Sequence, residues 1–249
     1  MSQESNNPDR IDVDIQVENS DTPASEDAPA PEEVSTFRLI ATLAVAGALA
    51  GLLIVLVNLH TKPIIDKWKA EQLQLAVYEV LPGVERYDTF YLVDGALSHE
   101  LPAGAKESEF KRVYVGRDEN GQTTGVAMSR GEAGFQDIVM VIFGYDPTAG
   151  TVSGMKILDS KETPGLGDKI FKDMEFVNQF FDGRPAPLLG VKKGAGKGQA
   201  NEIDMITGAT ISSKVVIQII NNGLEEWRPI LDKGIPPSPA DATPAEVSQ

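Results

Sequence analysis

The chain has 249 residues, a formal net charge of -15 and no cysteine, which leaves room for one core-forming domain with accessory segments. The missing cysteine excludes Cys-ligated iron–sulfur clusters, thioether-attached haem, thiol catalysis and disulfides, and His60 and His99 are too few for a His-rich metal site. With neither cysteine nor a histidine cluster, any electrons this chain moves must ride on an organic cofactor, and the acidic balance separately disfavours nucleic acid.

Residues 1–36 carry ten Asp or Glu against the single Arg10, a local charge of -9 that leaves -6 for the rest. Such a stretch cannot bury enough apolar surface to offset the entropy of ordering, and it reads as a disordered acidic arm. From Leu39 to Leu59 there is no charged residue. At 1.5 Å per residue this run reaches roughly 31 Å, about the hydrocarbon thickness of a bilayer, and predicts a transmembrane helix within residues 37–59. A cleaved signal peptide would start nearer the N-terminus with a basic flank and a shorter apolar core, so a retained anchor is expected. Gly47 and Gly51 have the spacing that lets another membrane helix approach, although glycine is common in such spans.

Residues 60–83 read as an amphipathic linker helix. Pro63 suits a first turn, Leu73, Val77, Val80 and Leu81 share a face, and Pro82-Gly83 ends the pattern. A domain over residues 84–228 follows. Phe90–Val93 predicts a short strand, and Lys111–Val115 with Thr124–Met128 predicts a hairpin closed at Asn120-Gly121. Ile138–Phe143 is a continuous apolar run expected of a central strand, and Val152–Leu158 predicts the next. Strands in succession followed by helical segments indicate an α+β fold with a mainly antiparallel sheet and flanking helices. Asp173–Phe181 predicts a short helix with Phe176 and Phe180 in the core, and Leu188–Val191 one more strand. The glycine-rich Lys192–Gly198 stretch lacks the Gly-Lys-Ser/Thr needed for a Walker loop and reads as a solvated loop, with a lysine near enough to help neutralise a phosphate as the alternative. Residues 229–249 form a Pro-rich tail, with disorder expected beyond about Pro236.

Two short motifs stand out. Glu162-Thr163-Pro164-Gly165-Leu166-Gly167 packs Pro and two Gly into a rigid turn that exposes backbone N–H groups and a flat surface; composition alone describes an ordinary loop. Asp204-x-x-Thr207-Gly208-Ala209-Thr210 runs into the apolar pattern of Val215, Val216, Ile219 and Ile220, so Thr210 stands at a helix start. Taken alone, such a Thr is a helix cap. The same position also suits a phosphate, which the free N–H groups and partial positive charge of a first turn hold without a cationic side chain.

Asp204–Thr210, with the downstream Ile211-Ser212-Ser213-Lys214, resembles the acceptor signature of the flavin-transfer system. Together with the Glu162–Gly167 turn and Asp168-Lys169-Ile170, it resembles RnfG, the family of FMN-binding subunits of Rnf complexes, and, less closely, the NqrC subunit of sodium-pumping NADH:quinone reductases. The likeness covers roughly residues 37–228; the long acidic arm departs from it. The resemblance implies FMN esterified through its phosphate to Thr210, with Asp204, Thr207, Gly208 and Ala209 as recognition and turn residues and the Glu162–Gly167 turn beside the cofactor. It implies a separate flavin transferase during maturation, iron–sulfur and membrane subunits as partners, and electron transfer between ferredoxin and NAD coupled to cation translocation. An NqrC-type subunit, or a membrane-anchored binding module without flavin, are the competing readings. No residue is assigned a catalytic or metal-binding role. Lys62, Lys67 and Lys69 outnumber Arg38 around the span, which by the positive-inside rule puts the domain in the cytoplasm. The resemblance implies the reverse, an inner-membrane protein with its flavin domain in the periplasm.

Overall fold

The structure is a computed structural model that describes residues 35–238, so almost all of the acidic arm and the end of the Pro-rich tail lie outside the described residues. The chain divides into two compact units, residues 1–58 and 59–249.

In the first unit the described residues after Ser35 belong to the helix α1, Thr36–Val80, which continues into the second unit. Its apolar part is not buried within the protein. Among the described residues it is the single helix long and apolar enough to cross a membrane. Where the sequence predicts two helices meeting near Pro63, one helix runs through, with Pro63 inside it. A proline there removes one backbone donor, and helix formers on both sides, Leu and Ala before it and Lys, Ala, Glu and Gln after it, carry the helix past the gap.

The second unit is built on seven strands: β1 Arg86–Val93, β2 Ala96–Ser98, β3 Arg112–Arg117, β4 Thr123–Ala133, β5 Ile138–Asp146, β6 Thr151–Asp159 and β7 Arg184–Pro185. They pair antiparallel in the order β2-β1-β3-β4-β5-β6-β7. The expected hairpin is β3–β4, and Gly121 closes it at φ 78°, a conformation that costs glycine little. β5 lies inside the sheet as its apolar run predicts, with Val139, Val141, Ile142 and Phe143 fully buried.

Helix α4, Thr210–Leu231, covers one face. Its Val216, Ile219 and Ile220 are fully buried in a core shared with Val141, Phe143 and Met155, each contributing on the order of 1.5–3 kcal/mol. The end of α1 packs on the opposite face through Ala76, Val77 and Val80, against Tyr114, Ala127 and Ile142. That seat needs a bare strand: a Cβ at Gly144 would lie 2.9 Å from the Val80 carbonyl carbon, while Ser153 Oγ donates to the Val80 carbonyl oxygen at 2.7 Å.

Between β6 and β7 the chain forms the short helices α2, Lys169–Lys172, and α3, Met174–Asn178. Asp173 caps α3 by accepting from the N–H groups of Glu175 and Phe176. Phe176 and Phe180 are buried and meet edge to face at 5.2 Å, core residues as their spacing predicts. One pairing was not anticipated: β8, Leu189–Lys192, runs parallel to β9, Glu202–Met205, as a separate two-stranded sheet. β9 ends at Met205 and delivers the chain through the Ile206–Ala209 turn to α4. Glu202 organises the glycine-rich connection by accepting from the Lys197 and Gly198 N–H groups, both at 3.0 Å.

Candidate cofactor site

α4 begins at Thr210, with Ala209 as its cap residue and no capping side chain. Among the described residues, no hydrogen-bond acceptor meets the N–H groups of Thr210, Ile211 or Ser212; pairing resumes at Ser213, whose N–H reaches the Ala209 carbonyl at 2.9 Å. The first turn therefore offers free donors and the positive end of a helix of 22 residues. Thr210 itself is exposed, its Oγ1 only 3.4 Å from the Ile206 carbonyl, a weak contact that leaves the hydroxyl available.

The turn before α4 is held from inside. Ser213 Oγ accepts from the Ile206 N–H at 3.2 Å and donates to the Ala209 carbonyl at 2.8 Å, and Gly208 takes φ 85°, where a side chain would be strained. Ser213 is fully buried. It braces the turn ahead of the helix and caps none of the first-turn N–H groups, which stay free.

The two motifs meet. A cleft of about 310 Å³ is lined by Glu162, Thr163, Leu166 and Gly167 from one and by Gly208 to Ser212 from the other, with Phe135 at its side. Glu162 ties these segments together: Oε2 accepts from Ser212 Oγ at 2.6 Å, and Oε1 accepts from the N–H groups of Phe135 at 2.8 Å and Gln136 at 3.1 Å. Burial works to raise its pKa. The hydrogen bonds from Ser212 and from the Gln136 and Phe135 backbone outweigh this and hold the carboxyl below its ordinary value, so it stands ionised and fully engaged. Two glycines make room for it. A Cβ at Gly167 would come 2.8 Å from Glu162 Cβ and 2.9 Å from Ser212 Oγ, and one at Gly134 would come 2.8 Å from the Asp137 carbonyl oxygen.

Thr163 Oγ1 also reaches across, to Gln136 Oε1 at 2.8 Å. Of the remaining expected site residues, Pro164 and Gly165 are exposed on the turn and do not line the cleft, nor does the exposed Thr207. Asp204 lies elsewhere. Its backbone is clasped by Gln179, whose amide donates to the Asp204 carbonyl at 3.2 Å and accepts its N–H at 2.7 Å, and it lines a neighbouring polar cavity with Arg184. Lys193 pairs with Glu175 at 2.7 Å, and among the described residues no Lys or Arg lines the cleft at Thr210. The helix start is the positive feature that faces the cleft. Phe135, Leu166 and Ile211 line the cleft while more than half exposed, an apolar rim suited to a flat aromatic ring. Sequence reasoning missed Ser212, Ser213, Gly134 and Phe135 as members of this site.

Residues 134–225 match the FMN-binding domain family, a span that starts at Gly134 and includes both motifs. Over 194 residues the chain is 31% identical to the G subunit of the Na(+)-translocating ferredoxin:NAD(+) oxidoreductase complex of Acetobacterium woodii, covering 77% of this chain and 91% of that protein. The chain belongs to the RnfG family of ion-translocating oxidoreductase complexes. A second member, the G subunit of the ion-translocating oxidoreductase complex of Methanosarcina acetivorans, is 27% identical over 188 residues, 76% of this chain and 92% of that protein. Among solved structures, Shewanella oneidensis NqrC aligns with a TM-score of 0.49 at 17% identity, covering 60% of this chain and 84% of that one. This RnfG-family chain is thus an FMN-type electron-transport subunit with, among the described residues, one helix long and apolar enough to span a membrane and a mainly antiparallel α+β domain.

Proposed function

We propose that this chain carries FMN as a phosphoester on Thr210 and relays electrons within an Rnf-type complex that couples transfer between ferredoxin and NAD to cation translocation. The observation that carries the reading is the single cleft in which the Glu162–Gly167 turn faces the exposed Thr210 hydroxyl and the free N–H groups of the α4 first turn. These residues fit the group: the hydroxyl as the ester oxygen, the helix start for the phosphate charge, and the Phe135, Leu166 and Ile211 rim for the ring.

In maturation the Thr210 Oγ–P bond would replace the pyrophosphate bond of FAD, with AMP leaving and the hydroxyl proton taken up by a separate flavin transferase. Glu162 is not free to act as the base, because it is occupied by its own donors. Bound FMN supplies the redox chemistry; the protein places it, limits water on one side and keeps it attached. The partners would be iron–sulfur and membrane subunits. The Acetobacterium woodii relative is named for ferredoxin and NAD, which supports this reading over a quinone-reducing assembly.

The test is in-gel fluorescence. Denatured wild-type protein from cells containing the transferase should fluoresce under ultraviolet light and Thr210→Ala should be dark; equal signals would reject Thr210, and a dark wild type would favour an empty binding module. The proposal extends to topology, with the flavin domain on the periplasmic side of the inner membrane, a position supported by family likeness. One of the lysines that argue otherwise, Lys69, pairs with Asp159 at 3.2 Å and belongs to the domain surface. A reporter active only outside the cytoplasm, fused after Trp227, should be active.

A further inference from the structure

β6 has an open edge. One side pairs with β5 along its whole length, but on the other β7 meets only Thr151 and Val152. Among the described residues, no other strand and no loop backbone pairs with Ser153 to Asp159. Unpaired edges invite another strand, and proteins ordinarily cover or break them.

This edge lies in a groove. A cavity of about 450 Å³ follows it, walled by Trp68 on α1 and by Phe171, Met174 and Val177 from the α2–α3 segment, with Met155 and Ile157 of β6 between. Trp68, Phe171 and Met174 are 58%, 42% and 56% exposed, large apolar side chains turned to solvent beside free backbone groups. The charges in the groove are already matched: Lys69 pairs with Asp159 at 3.2 Å and Lys156 pairs with Glu79 at 2.5 Å. A charged insert would have to break these pairs, whereas an uncharged one would not.

We infer that the β6 edge receives an extended, uncharged segment of another subunit of the complex, added as an eighth strand whose alternate apolar side chains fill the groove. Backbone hydrogen bonds to Ser153–Asp159 give affinity, and the Trp68, Phe171 and Met174 walls give specificity. The inference rests on the reading that this chain works beside other subunits. It places that contact on the edge of the sheet, in a groove that shares no lining residue with the Thr210 cleft.

The experiment compares amide hydrogen exchange over Ser153–Asp159 in the isolated full-length chain and in the detergent-extracted complex, with a photo-crosslinking residue at Met174 in parallel. Exchange should slow by about tenfold or more on assembly, as for newly paired strand amides. The Phe171→Glu, Met174→Glu double variant should lose that protection, and cross-links should fall on one peptide of another subunit. Unchanged exchange in an intact complex, cross-links to lipid alone or to a second copy of the chain, or extraction with no other subunit would each overturn it. In-gel flavin fluorescence on the same samples separates the two readings: slowed exchange in a dark protein would leave the groove standing and remove Thr210.

Discussion

Glu162 and Ser212, fifty positions apart, meet through a 2.6 Å hydrogen bond with both side chains buried. The bond joins the turn after β6 to the first turn of α4, so it fixes the distance between the two walls of the cleft. A buried hydrogen bond to a charged group contributes about 1.5–3 kcal/mol. Ser212→Ala should lower unfolding free energy by that order and reduce the fraction of protein carrying flavin, whereas Ser212→Thr should recover part of both. Denaturant titration and in-gel fluorescence check the pair, and an unchanged Ser212→Ala protein would show that the bond positions nothing.

The ionised state of Glu162 gives a pH dependence with a defined sign. Its pKa is lowered in the folded protein, against burial, by Ser212 and the Gln136 and Phe135 backbone. The unfolded chain then binds the proton more readily, so the stabilisation is complete above the ordinary carboxyl value of 4.5 and disappears as pH falls through the lower folded value. Melting temperatures of wild type and Glu162→Gln should differ most near neutral pH and converge on acidification. A gap that stays constant down to pH ~3 would assign the effect to shape rather than charge.

The large outline was readable because it depends on local pattern. The apolar run at Leu39–Leu59, the alternation on both sides of Asn120-Gly121 and the continuous Ile138–Phe143 run each specify their element directly, and β3, β4 and β5 form there. The Glu162 turn and Thr210 were legible as motifs, yet nothing local says that they touch; only the packing of α4 beside β4 and β5 brings them together. Ser213 was hidden for a related reason. Serine and threonine in one short stretch are equivalent by propensity; Ser213, one turn further into the helix, is buried because its hydroxyl bonds the Ile206–Ala209 turn folded beneath it, while Thr210 at the helix end stays exposed. The parallel β8–β9 pair went unseen because Glu202–Met205 is too short and mixed to declare itself, and its partner lies across a glycine-rich loop.

Gly167 and Gly134 are predicted to tolerate no side chain. A methyl group at either position meets Glu162 or the backbone around it, and Glu162 cannot withdraw without leaving the Phe135 and Gln136 N–H groups unpaired. Overpacking of this kind costs about 1–3 kcal/mol. Gly167→Ala and Gly134→Ala should each lower the melting temperature and flavin content, while Gly165→Ala, with open space around its Cβ position but a φ of 77°, should lose about 1 kcal/mol and retain flavin. Parallel measurements on the three variants separate loss of the cleft from loss of turn stability.

Asp204 makes the opposite case, a motif residue set apart from the cleft its motif helps to form. Its backbone is held by Gln179 at 2.7 and 3.2 Å, and it borders the polar cavity beside Arg184 instead of the space at Thr210. A role in recognition by the transferase predicts that the side chain matters before attachment and not after. Asp204→Asn should fold with a stability within about 0.5 kcal/mol of wild type, as expected for a partly exposed substitution whose backbone bonds are retained. The same variant should show a several-fold lower fraction of covalently flavinylated protein after a limited pulse of transferase expression, and the portion that is modified should have an unaltered flavin spectrum. Full modification at the wild-type rate would remove Asp204 from recognition, and a shifted spectrum would place its influence on the bound ring.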